Sequence, residues 1–212
     1  MENWTIIRGK KEKEVWQSLN NKCIAFVFKG DSDNEETAIA EAKTITQIFA
    51  RWFELTDDLV PNAVLAATAE EMPSSLNDAH FAERTIEMFT LKMLPIRAHM
   101  TATESSNIFA PKLVLNNGEI RDLDFEELVD IVAEAGIQNE YLVADELKDI
   151  SMKLFCFCRD YAEKRGVKIS EAYYRFGFDS KGKLRLGGDP FTPNAVNYNT
   201  LDYNEIYKKL FS

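Results

Sequence analysis

A chain of 212 residues, 45% of them hydrophobic, is long enough to bury a real core as one domain or as two small lobes. Its 25 basic residues stand against 35 acidic ones, a net charge of −10, which argues against nucleic acid as a partner because phosphate-backbone binding needs a net basic face. No apolar run approaches the roughly 20 residues that a membrane span requires, and three cysteines, an odd number, suit a reducing cytosol better than a disulfide framework.

The opening Met-Glu-Asn-Trp lacks the basic-then-apolar layout of a secretory signal. The expectation is a soluble, cytoplasmic protein with neither membrane nor nucleic acid as partner; a local basic pocket for a phosphorylated small molecule stays compatible with the charge. In chain order, "WTIIRGKKEKEVWQSL" predicts a strand, a turn at Gly9 and a second strand. "CIAFVF" (Cys23–Phe28) is a short apolar run of buried-strand type. Asp33 and Glu36 in the polar stretch that follows have capping-box spacing and predict a helix over about 34–53. Its apolar residues Ala38, Ala42, Ile45, Ile48, Phe49, Trp52 and Phe53 recur at three and four, one core-facing stripe.

Pro61 and Pro73 break the next stretch, which is expected to hold one strand near Ala63–Ala66 and a mobile loop beyond. "IEMFTLKMLPIRAHM" resumes β character, with Pro95 marking a bend or lobe boundary. "KLVLNNGEIRDL" reads as a hairpin, since Asn116-Asn117-Gly118 supplies residues that tolerate positive φ. Asp124 with Glu127 gives a second capping box, and the helix through Leu128, Ile131 and Val132 stops at Gly136. A longer helix is predicted over about 145–165, with Leu147, Ile150, Leu154, Cys158 and Tyr161 on one stripe and Gly166 as its stop. A hairpin around Asp179-Ser180-Lys181-Gly182 and a short helix near Tyr203–Phe211 close the chain. This order is α+β rather than alternating βαβ.

Most general motifs fail. There is no G-x-x-x-x-G-K-[ST], G-x-G-x-x-G or H-E-x-x-H, and no G-x-S-x-G elbow. Cys156 and Cys158 form C-F-C rather than C-x-x-C and read as helix cysteines. Three features remain. Arg8-Gly9-Lys10-Lys11-Glu12-Lys13 could bring backbone and lysines to phosphate oxygens, or be a solvated basic turn. Met93 to Asn107 combines a proline-bent strand with Arg97 and His99 alternating onto one face and with Ser105 and Ser106 in the loop; it could be a ligand-binding hinge or an edge strand. Asp189, after Gly187-Gly188 and before Pro190, could be a rigid carboxylate reaching magnesium or a structural loop acid.

The order of these features resembles the SAICAR synthetases, ligases with phosphoribosylaminoimidazole-succinocarboxamide as product. That family opens with a strand and Gly-Lys-Ala-Lys, where this chain has Gly9-Lys10-Lys11-Glu12-Lys13, and continues to a strand, acidic loop and helix, here "FVFKGDSDNEE". Its proline-strand corresponds to Leu94-Pro95 and "IRAHMTATESSN", and its late Lys-Leu-Glu-Phe-Gly, hairpin and Gly-Asp-Glu-Phe-Ser-Pro-Asp to "YYRFG", a hairpin and "GDPFTPN".

The resemblance implies a two-lobed α+β fold of antiparallel sheets with packed helices: a β-rich lobe with one long helix over 1–93, an α+β lobe over 94–212, and an ATP cleft between them. It implies an ATP-dependent ligase of purine biosynthesis that joins an activated carboxylate to an amino acid amine. ATP and Mg2+ would be cofactors, nucleotide and amino acid small molecules the substrates; self-association is left open. Carried over residue by residue, Gly9, Lys10, Lys13 and Met93 would bind ATP, Lys10 and Asp189 would be catalytic, Asp189 would hold the metal, and Arg97, Ser105 and Ser106 would meet substrate.

Several positions depart from the family. Arg175 stands where the family has a metal-binding Glu, Tyr173 where it has Lys, Thr101 and Ala102 where it has Arg-Asn, and Pro190 and Asn194 replace two acids. At an effective dielectric near 20, a unit charge product at about 4 Å is worth roughly 4 kcal/mol, so Arg175 must swing away from a bound magnesium or substitute for it against phosphate. Two readings stay open: a ligase, with altered substrate contacts, or a catalytically lapsed relative that binds a nucleotide or a protein.

Overall fold

Two antiparallel sheets organise the protein in a computed structural model that describes residues 4–9, 11–73, 76, 79–103, 105–115, 118–192, 195–198 and 202–212. The first half runs β1 (Trp4–Gly9), β2 (Lys13–Ser18), β3 (Cys23–Phe28), α1 (Glu35–Thr56), β4 (Val64–Ala66), α2 (Ala79–Ala82) and β5 (Thr85–Phe89). The second runs β6 (Lys92–Met93), β7 (Ile96–Ala102), β8 (Asn107–Val114), β9 (Ile120–Asp122), α3 (Phe125–Glu134), α4 (Glu140–Glu163), β10 (Glu171–Phe178), β11 (Leu184–Gly187), β12 (Val196–Asn197) and α5 (Tyr203–Phe211).

The first sheet has the order β1-β2-β3-β5-β4; the second is β11-β10-β7-β8-β9, with β6 and β12 also pairing β10. The two are stitched at residues 61–63, where Leu186 N donates to Pro61 O at 2.8 Å and Ala63 N to Leu186 O at 3.0 Å. The α+β class expected from the element order is the observed one.

Local rules account for most elements. Asp124 accepts from the Glu127 amide while the Glu127 side chain accepts from Asp124 N, the expected capping box of α3. α1 starts one residue later than its acidic loop suggested: Asn34, not Asp33, is the N-cap and accepts from Thr37 N at 3.0 Å. α4 begins at Glu140, ahead of the expected start near 145, although Asn139 makes no side-chain cap. Tertiary packing supplies what the cap does not: Tyr141 in its first turn meets Phe125 of α3 edge-on at 5.9 Å, and Ala144 is buried. The expected mobile loop beyond β4 includes α2, and its residues 74, 75, 77 and 78 lie outside those described, as do Asn116 and Asn117 of the β8–β9 turn.

The main core joins both sheets to the helices. Ile45, Ile48, Phe49 and Trp52 of α1 pack with Leu147, Leu154 and Cys158 of α4, Ile206 and Leu210 of α5, and Tyr174 and Phe176 of β10. Strand alternation then fixes what faces the other way. In β10, Ala172, Tyr174 and Phe176 are buried, so Glu171, Tyr173 and Arg175 share the opposite face. In β7, Ile96, Ala98 and Met100 are buried, leaving Arg97, His99 and Thr101 on that same face.

Candidate active site

A cleft of about 250 Å³ opens over this polar face, roofed by the β1–β2 hairpin and closed at one side by the segment after β11. Its lining holds four cationic side chains, Arg8, Lys13, Arg97 and Arg175, against two carboxylates, Glu12 and Asp189. A local positive site in a chain of net charge −10 focuses anions where the rest of the surface repels them.

The Asp189 segment is held from below. Gly187 ends β11 where a side chain has no room, since a Cβ there would come within 2.8 Å of Leu91 Cδ1. Gly188 follows with φ +74°, a left-handed conformation that turns the chain into Asp189. Thr192 Oγ1 donates to Asp189 O at 3.0 Å and lies 3.2 Å from Asp189 Oδ2. Phe191 plugs the core against Phe49 and Trp52. Trp52 Nε1 donates to the Tyr198 hydroxyl at 2.9 Å, and that hydroxyl donates to Phe191 O at 3.2 Å. This anchoring aims the carboxylate across the cleft, where Lys13 Nζ meets Asp189 Oδ2 at 2.5 Å. Lys13 also sits over the Phe26 ring at 5.1 Å, and both partners of the pair are under a fifth exposed, at 19% and 17%.

The floor is different. Tyr173 lies flat on His99, ring centroids 4.3 Å apart, and His99 Nε2 is 3.1 Å from Glu171 Oε2. The hydrogen bond with His99 is the main reason the Glu171 carboxyl is held below its usual range; burial opposes it. Burial raises the Tyr173 phenol, and Glu171 adds to the effect. Arg175 runs beneath Gly188, with its Nε buried and, among the described residues, without a hydrogen-bond partner. Burial first, then Arg97, disfavour its charged form; Asp189 favours it and Arg8 weakly opposes. Among the described residues neither Arg175 nor Arg97 has an ion-pair partner.

Of the expected site residues, Lys13, Arg97 and Asp189 come together here. Lys10 lies outside the described residues, and Gly9 ends β1 beside Arg8 with open space around it. Met93 does not line this cleft; paired with Gly177 in β6, it lies behind Gly187 and faces a second depression with Arg121 and Glu127. Ser105 and Ser106 sit in the exposed β7–β8 loop, where Thr103 Oγ1 donates to Ser106 O at 2.9 Å. The 7 residues of β7 carry that loop roughly 20 Å along the strand, away from the Arg97 end.

For a divalent cation the donor set does not fit. Asp189, expected to bind metal, has its Oδ2 taken by Lys13, cations outnumber carboxylates in the lining, and no group of three His, Cys, Asp or Glu suited to a metal occurs among the described residues. Sequence reasoning overlooked Thr192 as the partner of Asp189, though a Thr three residues after an Asp was a usable turn signal. It also could not see the Tyr173–His99 stack, which exists only because β7 and β10 are neighbours.

The fold is thus an α+β pair of antiparallel sheets, and the cleft suits a small anion. The model of the SAICAR synthetase family matches residues 5–209, and the chain belongs to that family. It is 23% identical over 194 residues to the phosphoribosylaminoimidazole-succinocarboxamide synthase of Lachnospira eligens, covering 77% of this chain and 66% of that one. The counterpart from Xanthomonas campestris pv. campestris is 21% identical, with 78% and 61% covered, so the chain spans less than two thirds of these curated relatives. Among solved structures, a Type-2 SAICAR synthetase in complex with ADP superposes with a TM-score of 0.72 at 15% identity, covering 98% of this chain and 97% of that one. A SAICAR synthase from Saccharomyces cerevisiae complexed with SAICAR gives 0.71 at 16% identity, covering 91% and 75%.

Proposed function

We propose that the chain is an ATP-using ligase of purine nucleotide biosynthesis, joining a substrate carboxylate to the amine of an amino acid, aspartate in the family. A carboxylate oxygen takes the γ-phosphoryl group as its bond to ADP breaks; the amine nitrogen then attacks the acyl carbon, phosphate leaves and the nitrogen gives up a proton. The observation that carries this reading is the convergence of Lys13, from the first turn, with Asp189, from the far end of the chain, in one cationic cleft of a family member. The ADP and SAICAR complexes among the structural neighbours support a nucleotide and a carboxylate-derived product as the ligand classes.

In this reading residues 1–93 and 94–212 act as the two lobes. Gly9, Lys10 and Lys13 approach the phosphates, with Asp189 orienting Lys13. Arg97 lies nearest the substrate, and Met93 backs the strand that walls the cleft. Ser105 and Ser106 reach substrate only if the β7–β8 loop folds over the face. Because the donor set around Asp189 does not suit Mg2+, no step is assigned to the metal. No described helix is long and apolar enough to cross a membrane, and we assign the protein to the cytoplasm.

The test is to incubate the purified chain with ATP, carboxyaminoimidazole ribotide and aspartate, with and without magnesium, and follow ADP and amide product. Equal amounts of the two support the ligase. No turnover with this mixture or with a panel of other amines, alongside a nucleotide-induced rise in melting temperature, would turn the assignment towards a lapsed, nucleotide-binding relative.

A further inference from the structure

We infer that the cleft binds nucleotide phosphates directly through Arg175, assisted by Arg97 and Arg8, in the place a divalent cation would occupy, so that its affinity for ATP does not depend on magnesium. This rests on the ATP-using reading and adds to it the means by which phosphate charge is neutralised.

Three observations carry it. The first is the state of Arg175. A guanidinium stays protonated in proteins, yet this one has its Nε buried and unpartnered and forms no ion pair among the described residues. A buried charge without a counter-charge is costly. The folded protein keeps this one beneath Gly188, close enough that a Cβ built there would lie 3.7 Å from the Arg175 stem.

The second is the company it keeps. Arg97 projects from the neighbouring strand onto the same face, and Arg8 faces both across the cleft from β1. Their charges act against that of Arg175, in the same sense as its burial. Like charges gathered in one cleft are relieved by an anion bound between them. Arginine forks match phosphate oxygens in pairs, a geometry that an ammonium does not offer.

The third is where the acids have gone. Asp189 closes on Lys13 at 2.5 Å and on Thr192, and Glu171 is engaged by His99 and by Asn197 Nδ2 at 3.3 Å. Among the described residues this leaves Glu12 as the only carboxylate of the lining without an ion pair, too few ligands to collect a divalent cation, whereas the cation that would repel one is in place. The phosphate site is therefore built from protein cations, and metal is not needed to complete it.

Isothermal titration with ATP, once in excess EDTA and once in excess magnesium, tests this on the intact chain. Affinities within about threefold of each other are expected, with Arg175→Met weakening binding in EDTA by at least tenfold, about 1.4 kcal/mol. Arg97→Met should show a smaller loss, and it serves where the first variant fails to fold. Arg175→Glu should convert the site to magnesium-dependent binding. ATP binding that appears only with magnesium, or that survives Arg175→Met and Arg97→Met unchanged in EDTA, overturns the inference and leaves the ligase reading standing. No ATP binding under either condition overturns both.

Discussion

The two sides of the cleft handle charge in opposite ways. At one corner Lys13 and Asp189 neutralise each other at 2.5 Å, with Phe26 beneath the lysine and Thr192 beside the acid. On the floor, Arg175 and Arg97 sit on adjacent strands, and among the described residues neither has an ion-pair partner and the Arg175 Nε has no hydrogen-bond partner. The corner is complete as it stands and ties β2 to the segment after β11. The floor keeps cations without an ion-pair partner among the described residues, the want that the anion proposed above would fill. A binding site can thus be recognised by what the fold leaves unsatisfied as much as by what it brings into contact.

The largest effect should come from breaking the corner at its foundation. Phe191→Ala removes the ring that packs on Phe49 and Trp52 and should cost about 3–5 kcal/mol in denaturant unfolding, the usual range for a buried Phe. If the loss is under about 1 kcal/mol, the segment is not anchored as described. Next, Asp189→Ala leaves the Lys13 ammonium, 19% exposed, facing a cleft of other cations and should destabilise by about 2 kcal/mol. The double variant with Lys13→Met should recover most of that loss, and a coupling near zero in the double-mutant cycle would show that the pair contributes nothing.

On the floor the sign reverses. Arg175→Met replaces a half-buried cation, without an ion pair among the described residues, by an apolar chain and should raise stability by about 1 kcal/mol, seen as a higher denaturation midpoint, while nucleotide affinity falls. A fall in both would mean that Arg175 has a structural partner after all. The smallest effect belongs to a pair outside the cleft. Asp179 accepts from Arg185 Nε at 2.7 Å and from the turn amides, and Arg185 first among these holds its carboxyl down to about 2. Because that folded value lies below the ordinary Asp value near 4, its contribution is fully present above about pH 4 and disappears as pH falls towards 2. Arg185→Met should therefore cost under about 1 kcal/mol at neutral pH, and less still near pH 2 as Asp179 protonates.

Much of the fold was legible before any coordinates, and the legible parts share a property. The Asp124–Glu127 box, the α1 stripe from Ala42 to Trp52 and the hairpin around Gly182 depend on residues a few positions apart. The misreadings had different causes. Asn34 displaced Asp33 as a cap through its own local bond from Thr37 N, whereas α4 gained a turn where Tyr141 packs against Phe125 of α3. Of the candidate site, the GDPFT segment and the Arg8–Lys13 turn were visible as motifs; that Ser105 and Ser106 would lie outside the cleft and that Met93 would face away from it was not.

By itself the sequence determined the elements, the alternation that places Arg175 and Arg97 off the core faces of their strands, and the likeness to one family, since these follow from repeat geometry and residue type along the chain. Only the tertiary structure decided that Lys13 would meet Asp189 across 176 positions and that two arginines would share a floor with no ion-pair partner among the described residues. The physical reason is that electrostatic interaction depends on separation in space, and strand pairing at about 4.8 Å sets that separation irrespective of distance along the chain.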